Sequence, residues 1–307
     1  MPSSSKPPSL SWGLRAQDSG RPLLLDGATG TELERRGVDI SLPLWSARAL
    51  LEAPDTLAEI HRDYLTAGAG AITTNTFRTH CRTLAKAGLA DRHEPLTRLA
   101  VQIATAARDR YKPDALVLGS VAPLEDCYRP DLAPEEAVCR AEHAQIIGHL
   151  VEAGVDLLVL ETMNNLPEAR AAIQEARRRA PGRWIVSFCL KSEGPSGVLL
   201  SGEPLSGLLD ELADARAVGV NCTAAAATEP QVRYLRQALP PRVGVAAYAN
   251  IGSADSDGNW ICTDAVDPDR YAEYAHAWME AGATMIGGCC GTRPATIEAI
   301  ALRLGSF

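Results

Sequence analysis

Three cysteines lie in two short motifs whose residue types suit a metal ion. Cys222 ends the segment GVNC, and Cys289 and Cys290 lie together in GGCCGT. A catalytic Zn²⁺ commonly takes three protein ligands and leaves a fourth position open for water or substrate. Thiolates suit zinc or a softer metal and are poor ligands for Mg²⁺ or Ca²⁺. The sequence therefore predicts a zinc site made of Cys222, Cys289 and Cys290.

The alternative is that these cysteines pack in the core, because free cysteine is among the most buried residue types. Neighbouring residues of a regular strand point to opposite faces, so adjacent cysteines share a metal only where the backbone leaves the pleat. Gly287, Gly288 and Gly291 are expected to give the backbone that freedom. The remaining cysteines are interpreted as core or loop residues: Cys81, Cys127, Cys139, Cys189 and Cys262.

A three-cysteine zinc site with an open position would activate a thiol. A free thiol has a pKa of about 8.5, whereas a thiol that coordinates zinc is deprotonated outright. A substrate thiol in the open position would therefore be a thiolate at neutral pH, ready to attack an electrophilic carbon.

Short aliphatic runs alternate with amphipathic segments along the whole chain, and this alternation predicts repeated βα units. The phrase Ala-Gly-(Ala or Val) before a strand recurs three times, which also indicates a repeated unit. Eight such units in about 290 residues match a single (β/α)₈ TIM barrel. A doubly wound open sheet is the alternative, but DGATGTEL is a poor match to its glycine fingerprint. The predicted strands are Pro22–Asp26, Ala71–Asn75, Leu116–Val121, Leu157–Thr162, Trp184–Leu190, Ala217–Cys222, Val243–Asn250 and Thr284–Cys290.

Barrel enzymes build their active sites at the carboxyl ends of the strands. In this sequence those ends carry polar or ligating residues where a purely structural strand could have stayed aliphatic. They are Asp26, Asn75, Glu161, Asn221, Cys222, Asn250, Cys289 and Cys290.

Composition and charge exclude several classes of protein. With 46% apolar and 22% charged residues, the 307-residue chain can bury a sizeable core. A net charge of −8 and the lack of a basic stripe argue against nucleic acid. No apolar run is long enough to cross a membrane. Residues 1–20 are expected to form a disordered tail, residues 21–307 one barrel domain, and the cysteines to be reduced in a cytoplasmic protein.

Several motifs together resemble the zinc-dependent homocysteine S-methyltransferase family. This family includes betaine- and S-methylmethionine-dependent enzymes and the homocysteine-binding part of methionine synthase. The resemblance runs from about Leu23 to Leu304. It rests on LLLDGATGTELERRG, PLWS, AGAGAITTNTF, GSVAP, LLVLET, GVNC, YANIG and GGCCGTRP. GVNC followed by GGCCGT is the most specific part of the match.

The resemblance implies a set of site residues and a reaction. It implies that Cys222, Cys289 and Cys290 hold Zn²⁺ and that the zinc-bound thiolate of homocysteine takes a methyl group to give methionine. It implies that Asp26 and Glu161 bind the amino group of homocysteine. The resemblance also implies that the carboxylate of homocysteine binds backbone N–H groups of Gly27, Ala28 and Thr29 near Thr74. Asn221 is expected to be a further substrate-binding residue.

The methyl donor is less clearly indicated. Trp45 matches the tryptophan of the betaine site, but Thr162 and Arg78 stand where the resemblance would require tyrosines for cation–π contact. We therefore favour a sulfonium donor, S-methylmethionine or S-adenosylmethionine. Trp45, Tyr248, Asn250 and Trp260 are the expected donor contacts.

Two alternatives stay open at this point. The chain could exchange methyl groups with a corrinoid protein or act on another thiol or selenol. It could instead be a non-catalytic zinc or redox barrel in which Cys289 and Cys290 form a strained vicinal disulfide. None of the six histidines is assigned to the metal. The sequence shows no clear interface, so a homo-oligomer is neither indicated nor excluded.

Overall fold

Eight parallel strands form one sheet whose two ends meet, as the sequence predicts for a (β/α)₈ barrel. The computed structural model describes residues 21–254 and 260–305, so the predicted tail at 1–20 lies outside the described residues. Neighbouring strands around the sheet begin, in spatial order, at Leu23, Met285, Gly244, Ala217, Trp184, Leu157, Leu116 and Ala71. A parallel bridge between Leu25 and Ala71 and a 2.8 Å hydrogen bond from Gly70 N to Leu24 O join the first of these strands to the last. These contacts link the two ends of the sheet.

The strands fall close to the predicted positions, and most are shorter. They are β1 Leu23–Leu24, β2 Ala71–Thr73, β3 Leu116–Val121, β4 Leu157–Met163, β5 Trp184–Phe188, β6 Ala217–Ala224, β7 Gly244–Asn250, β8 Gly252–Ala254, β9 Trp260–Cys262 and β10 Met285–Gly288. The sequence did not predict the short antiparallel hairpin of β8 and β9, which follows β7.

Helices follow most strands. They are α1 Gly30–Arg35, α2 Ala49–Glu52, α3 Pro54–Thr66, α4 Cys81–Ala85, α5 His93–Tyr111, α6 Glu136–Ala153, α7 Leu166–Arg179, α8 Ala225–Ala238, α9 Pro268–Glu280 and α10 Pro294–Leu304. Between β5 and β6 the chain forms a 3₁₀ helix, Leu205–Leu212, in place of an α-helix. No helix in the described ranges is long and apolar enough to cross a bilayer.

The strands of the eight-stranded sheet are largely buried on both faces, and alternate residues pack in two different cores. Leu116 and Leu118 of β3 belong to the cluster inside the barrel. Val117 and Val121 pack in the cluster between the sheet and the helices. Side chains alternate across a strand, so successive aliphatic residues such as Leu116, Val117 and Leu118 are what a sheet covered on both faces requires.

The recurring Ala-Gly phrase has a structural reason. Gly68, Gly154 and Gly282 follow α3, α6 and α9 with φ of 110°, 90° and 109°. Only glycine enters this left-handed region without cost, and it commonly ends helices there. The phrase therefore marks three points where a helix ends and the chain returns to the barrel.

Candidate metal and substrate site

The three predicted cysteines come together at the carboxyl end of the barrel. Cys222 lies near the end of β6, and Cys289 and Cys290 directly follow β10. Their sulfur atoms all lie within 4.8 Å of one another, and Cys222 Sγ is 2.8 Å from Cys289 Sγ. Cys289 and Cys290 are free thiols, so the vicinal disulfide of the redox alternative is not present.

An irregular backbone turns these cysteines toward each other. Cys222 has φ of 54°, and the pairing of β6 with β7 shifts register between Asn221 and Ala224. Such a bulge redirects a side chain, and a non-glycine residue with positive φ is uncommon. Gly291, after the paired cysteines, has φ of 83°. The predicted departure from the pleat is therefore located at Cys222 and Gly291.

Gly287 and Gly288 serve a different purpose from the one that the sequence suggested. Neither adopts a positive φ. A Cβ at Gly287 would lie 2.6 Å from Leu25 Cβ, and one at Gly288 would lie 2.3 Å from Thr292 Oγ1. These glycines allow β10 to approach β1 and the Thr292 turn closely, so the expectation of added backbone freedom was wrong for both.

Two asparagines fix the cysteines. Asn221 Nδ2 lies 3.5 Å from Cys222 Sγ, and Asn221 Oδ1 accepts a 2.9 Å hydrogen bond from Thr162 N. Asn250 Oδ1 accepts a 3.0 Å hydrogen bond from Cys290 N. Both asparagines are buried and lie outside the lining of the site cavity. Asn221 and Asn250 therefore position the cysteines, which differs from the substrate and donor contacts expected of them.

The donor set fits a thiophilic divalent metal. Hydrogen bonding with Cys289 and burial hold the pKa of Cys222 well above that of a free thiol. In the described residues the hydrogen-bond partners of Cys222 Sγ are Thr162 Oγ1, Asn221 Nδ2 and Cys289 Sγ, none of which is a cation, so three thiolates here would repel one another. A divalent cation would supply the missing charge, and three sulfur ligands match a catalytic zinc site.

A second group of possible ligands, Glu94, His149 and Glu152, lies on the surface between α5 and α6. Arg98 donates to Glu94 Oε1 and to Glu152 Oε2, each at 2.8 Å. The two carboxylates therefore already have a cation, unlike the sulfur cluster.

The two predicted carboxylates also face the site cavity. Asp26 accepts hydrogen bonds from Thr73 N at 2.7 Å and Thr73 Oγ1 at 3.0 Å, and Glu161 accepts one from Ser120 Oγ at 2.5 Å. Burial raises the pKa of each carboxyl to about 7, and the charge of Asp26 contributes to the shift at Glu161. No ion pair joins either carboxylate to a cation of the described residues, and two such carboxylates on one cavity are suited to bind an ammonium group.

The loop after β1 offers two backbone donors instead of the predicted three. Ala28 N donates to Thr292 Oγ1 at 3.1 Å, so this N–H group is already used. In residues 21–254 and 260–305 the N–H groups of Gly27 and Thr29 have no partner. A Cβ at Gly27 would lie within 3 Å of Thr292 Oγ1 and of the ring of Tyr64. A carboxylate could therefore bind the N–H groups of Gly27 and Thr29.

The sulfur cluster and the carboxylates line one cavity of about 830 Å³. Thr74 also lines it, but the Thr74 hydroxyl already bonds Thr76 Oγ1 at 2.8 Å and Ser120 N at 3.1 Å. The cavity holds the predicted aromatic side chains and two that the sequence did not single out. The aromatic lining is Trp45, Phe77, Tyr128, Tyr248 and Trp260.

Trp45 is held in an unusual conformation at the cavity wall. Its φ is 47°, and its ring packs edge to face on Phe77 with centroids 5.5 Å apart. A Cβ at Gly30 would lie 2.3 Å from Trp45 Cζ2. Glycine at position 30 therefore creates the space that the tryptophan ring occupies.

Gly30→Ala is accordingly expected to displace Trp45 and to cost about 1–3 kcal/mol of unfolding free energy, as overpacking commonly does. Denaturant unfolding and near-UV circular dichroism would measure the two effects. Gly148→Ala in α6 is the matched control, because its Cβ would meet only the flexible Arg179 side chain at 3.3 Å. Equal stability of Gly30→Ala and the wild type would contradict the expectation.

Tyr128 is a site residue that sequence reasoning missed. It lies in the loop after β3, and Asn250 Nδ2 donates to its hydroxyl at 3.4 Å. Burial, followed by the charges of Cys222 and Cys290, raises the pKa of Tyr128. The residue is 47% exposed, and its hydroxyl contacts Asn250, whose Oδ1 accepts from Cys290 N. The one available signal was its position after a barrel strand.

A buried polar network holds the Tyr128 loop. Glu168 Oε1 accepts from Leu124 N at 2.8 Å and contacts His143 Nε2 at 3.2 Å. Asn164 Nδ2 donates to Cys127 O at 2.9 Å. Burial acts to raise the pKa of Glu168, but the hydrogen bond with His143 and further bonds outweigh it and lower the pKa. An ionised Glu168 thus anchors the loop from α7.

The chain is similar to known methyltransferases along almost its whole length. A family model described as homocysteine S-methyltransferase matches residues 23–304. The homocysteine S-methyltransferase of Escherichia coli is 34% identical, with 92% of this chain and 94% of that protein aligned. The homocysteine S-methyltransferase YbgG of Bacillus subtilis is 31% identical over 91% of this chain and 93% of its own length.

Solved structures agree with the sequence comparison. The metallated form of the homocysteine methyltransferase MmuM from Escherichia coli superposes with a TM-score of 0.80 at 33% identity. The superposition covers 95% of this chain and 99% of that one. This chain belongs to the homocysteine S-methyltransferase family and is a methyltransferase.

Proposed function

We propose that this enzyme transfers a methyl group from a small sulfonium donor to the thiol sulfur of homocysteine, giving methionine. We include in the proposal that Cys222, Cys289 and Cys290 hold the Zn²⁺ that the reaction requires. The supporting observation is the joint presence of the sulfur cluster and the carboxylates of Asp26 and Glu161 in one cavity. S-methylmethionine and S-adenosylmethionine are the proposed donors.

Each group has a distinct part in this reaction. When bound, zinc would lower the pKa of the substrate thiol and so make it nucleophilic at neutral pH. Asp26 and Glu161 bind the ammonium group of homocysteine, and the N–H groups of Gly27 and Thr29 bind its carboxylate. A new S–CH₃ bond forms on homocysteine while the donor's S⁺–CH₃ bond breaks. The donor sulfur keeps that electron pair and leaves as a neutral thioether, and the thiol proton passes to solvent.

Removal of metal is expected to abolish turnover. The protein as purified should contain about one zinc per chain, and dialysis against a strong chelator should remove both zinc and activity. Added zinc should then restore both. Metal analysis and methionine formation measure the two quantities separately. Full activity in metal-free protein would contradict the role of zinc, and a chain that binds zinc but methylates no homocysteine would contradict the reaction.

A donor panel tests the second half of the proposal. S-methylmethionine, S-adenosylmethionine and glycine betaine are assayed with homocysteine on the zinc-loaded protein. Rapid methionine formation from a sulfonium, with no other protein present, would eliminate the need for a corrinoid partner. A cytoplasmic location, which would keep the cysteines reduced, belongs to the same proposal.

A selenol is the second proposed acceptor, because one relative is named for that activity. The selenocysteine Se-methyltransferase of Brassica oleracea is 31% identical over 94% of this chain and 91% of its own length. Selenocysteine carries the same ammonium and carboxylate groups, so Asp26, Glu161 and the Gly27 loop could bind it equally. Competition between homocysteine and selenocysteine for limiting donor would rank the two acceptors.

A further inference from the structure

Arg78 is a guanidinium in the cavity with few partners of its own. It lies in the loop after β2 and is half-buried. Its Nη1 donates to Glu125 O at 3.2 Å, and its Cζ lies 5.5 Å from the centroid of the Phe77 ring. Its Nε is buried without a hydrogen-bond partner. Across the described ranges Arg78 forms no ion pair with a carboxylate.

Unlike Arg78, the neighbouring cations Arg82 and Lys86 form ion pairs with carboxylates. Arg82 pairs with Glu142 at 2.5 Å and with Glu125 at 3.3 Å, and Lys86 pairs with Glu125 at 2.5 Å. The Glu125 carboxylate is thus occupied by Arg82 and Lys86, and only its backbone oxygen serves Arg78. A buried N–H group without an acceptor is costly, and the cost disappears if a ligand supplies an anion.

Homocysteine does not need Arg78. Its ammonium group has Asp26 and Glu161, and its carboxylate has the free N–H groups of Gly27 and Thr29. The Arg78 side chain instead lies beside Phe77, which contacts Trp45. These are aromatic faces of the kind that attract an onium carbon. The arginine therefore belongs to the part of the cavity that is free for the second substrate.

We propose that Arg78 binds the carboxylate of the methyl donor and so selects an onium compound that carries a carboxylate over one that does not. This inference rests on the proposed methyl transfer and names the chemical class of its donor. A guanidinium binds a carboxylate through two parallel N–H···O bonds, and the unpartnered Nε provides one of them. The same guanidinium repels a donor that is purely cationic.

The test pairs a change in the protein with a change in the donor. S-methylmethionine is compared with its carboxamide, which keeps the sulfonium and loses the carboxylate charge. For the wild type, KM for the carboxamide should be higher by about 10-fold to 100-fold, the range for hydrogen bonds to a charged group. In Arg78→Met the two KM values should converge, and Arg78→Lys should restore part of the preference because it keeps the charge.

Arg82→Met is the matched control, since Arg82 lies outside the cavity lining and should leave the preference unchanged. An equal rise in KM for both donors in Arg78→Met would overturn the inference, and so would a wild type that does not distinguish them.

Calorimetric titration of S-methylmethionine without homocysteine separates this inference from the proposed reaction. Arg78-dependent binding without methionine formation would support Arg78 as the carboxylate site and contradict the proposed function. Equal binding by the wild type and Arg78→Met would overturn the assignment of Arg78.

Discussion

Cys290→Ala is expected to lose zinc and to lose methyl transfer with it. The change leaves two sulfur ligands, whereas catalytic zinc sites have three protein ligands. Loss of a group that only supports a ligand already weakens metal binding about 10-fold to 100-fold, so loss of a ligand should weaken it by more than about 100-fold. Zinc content after gel filtration and methionine formation at saturating substrates would measure the result.

Cys139→Ala provides the control for that experiment. Cys139 is fully buried and packs against Leu124 and Ala171 outside the sulfur cluster. This variant should keep its zinc and its turnover. If Cys290→Ala retained one zinc per chain and full activity, the three-cysteine assignment would be wrong. If both variants lost zinc equally, the loss would reflect general damage to the fold.

The barrel and the sulfur cluster were predictable because they depend on local patterns. Successive aliphatic residues such as Leu116, Val117 and Leu118 indicate a strand that is covered on both faces, and Ala-Gly marks the ends of three helices. Once the barrel is recognised, the carboxyl ends of all strands must meet at one end. Cys222 and Cys289 are distant in sequence, yet the strand order places both there.

The rest of the site depends on contacts between distant segments, which no local pattern encodes. A side chain at position 288 would clash with Thr292, and one at position 30 would clash with Trp45. The Ala28 N–H group was expected to be free, and only the folded turn shows that Thr292 occupies it. Tyr128 contacts Asn250 of the site while a network from α7 holds its loop, and the local sequence LEDCYRP does not indicate this contact.

Glu161→Gln is expected to raise KM for homocysteine by about 100-fold, because the substrate ammonium would lose an anionic partner inside a buried site. The wild type should show a related pH dependence. The pKa of Glu161 in the unliganded protein is about 7, so kcat/KM for homocysteine should fall as the pH decreases below about 7. Initial-rate measurements across pH, with zinc content checked at each point, would test both expectations.

The same variant should be more stable than the wild type at high pH. Burial raises the pKa of Glu161 from 4.5 to about 7, so the folded state holds a proton that the unfolded chain has released. The favourable contribution of this carboxyl is complete below pH 4.5 and is lost as the pH rises through 7. Without ligand at pH 8, Glu161→Gln should therefore gain about 1–3 kcal/mol of unfolding free energy, and near pH 4 the gain should vanish. Denaturant unfolding at the two pH values would measure it. If Glu161→Gln lost affinity for homocysteine but gained no stability at pH 8, the ionised carboxylate of Glu161 would not destabilise the unliganded protein, and this expectation would be wrong.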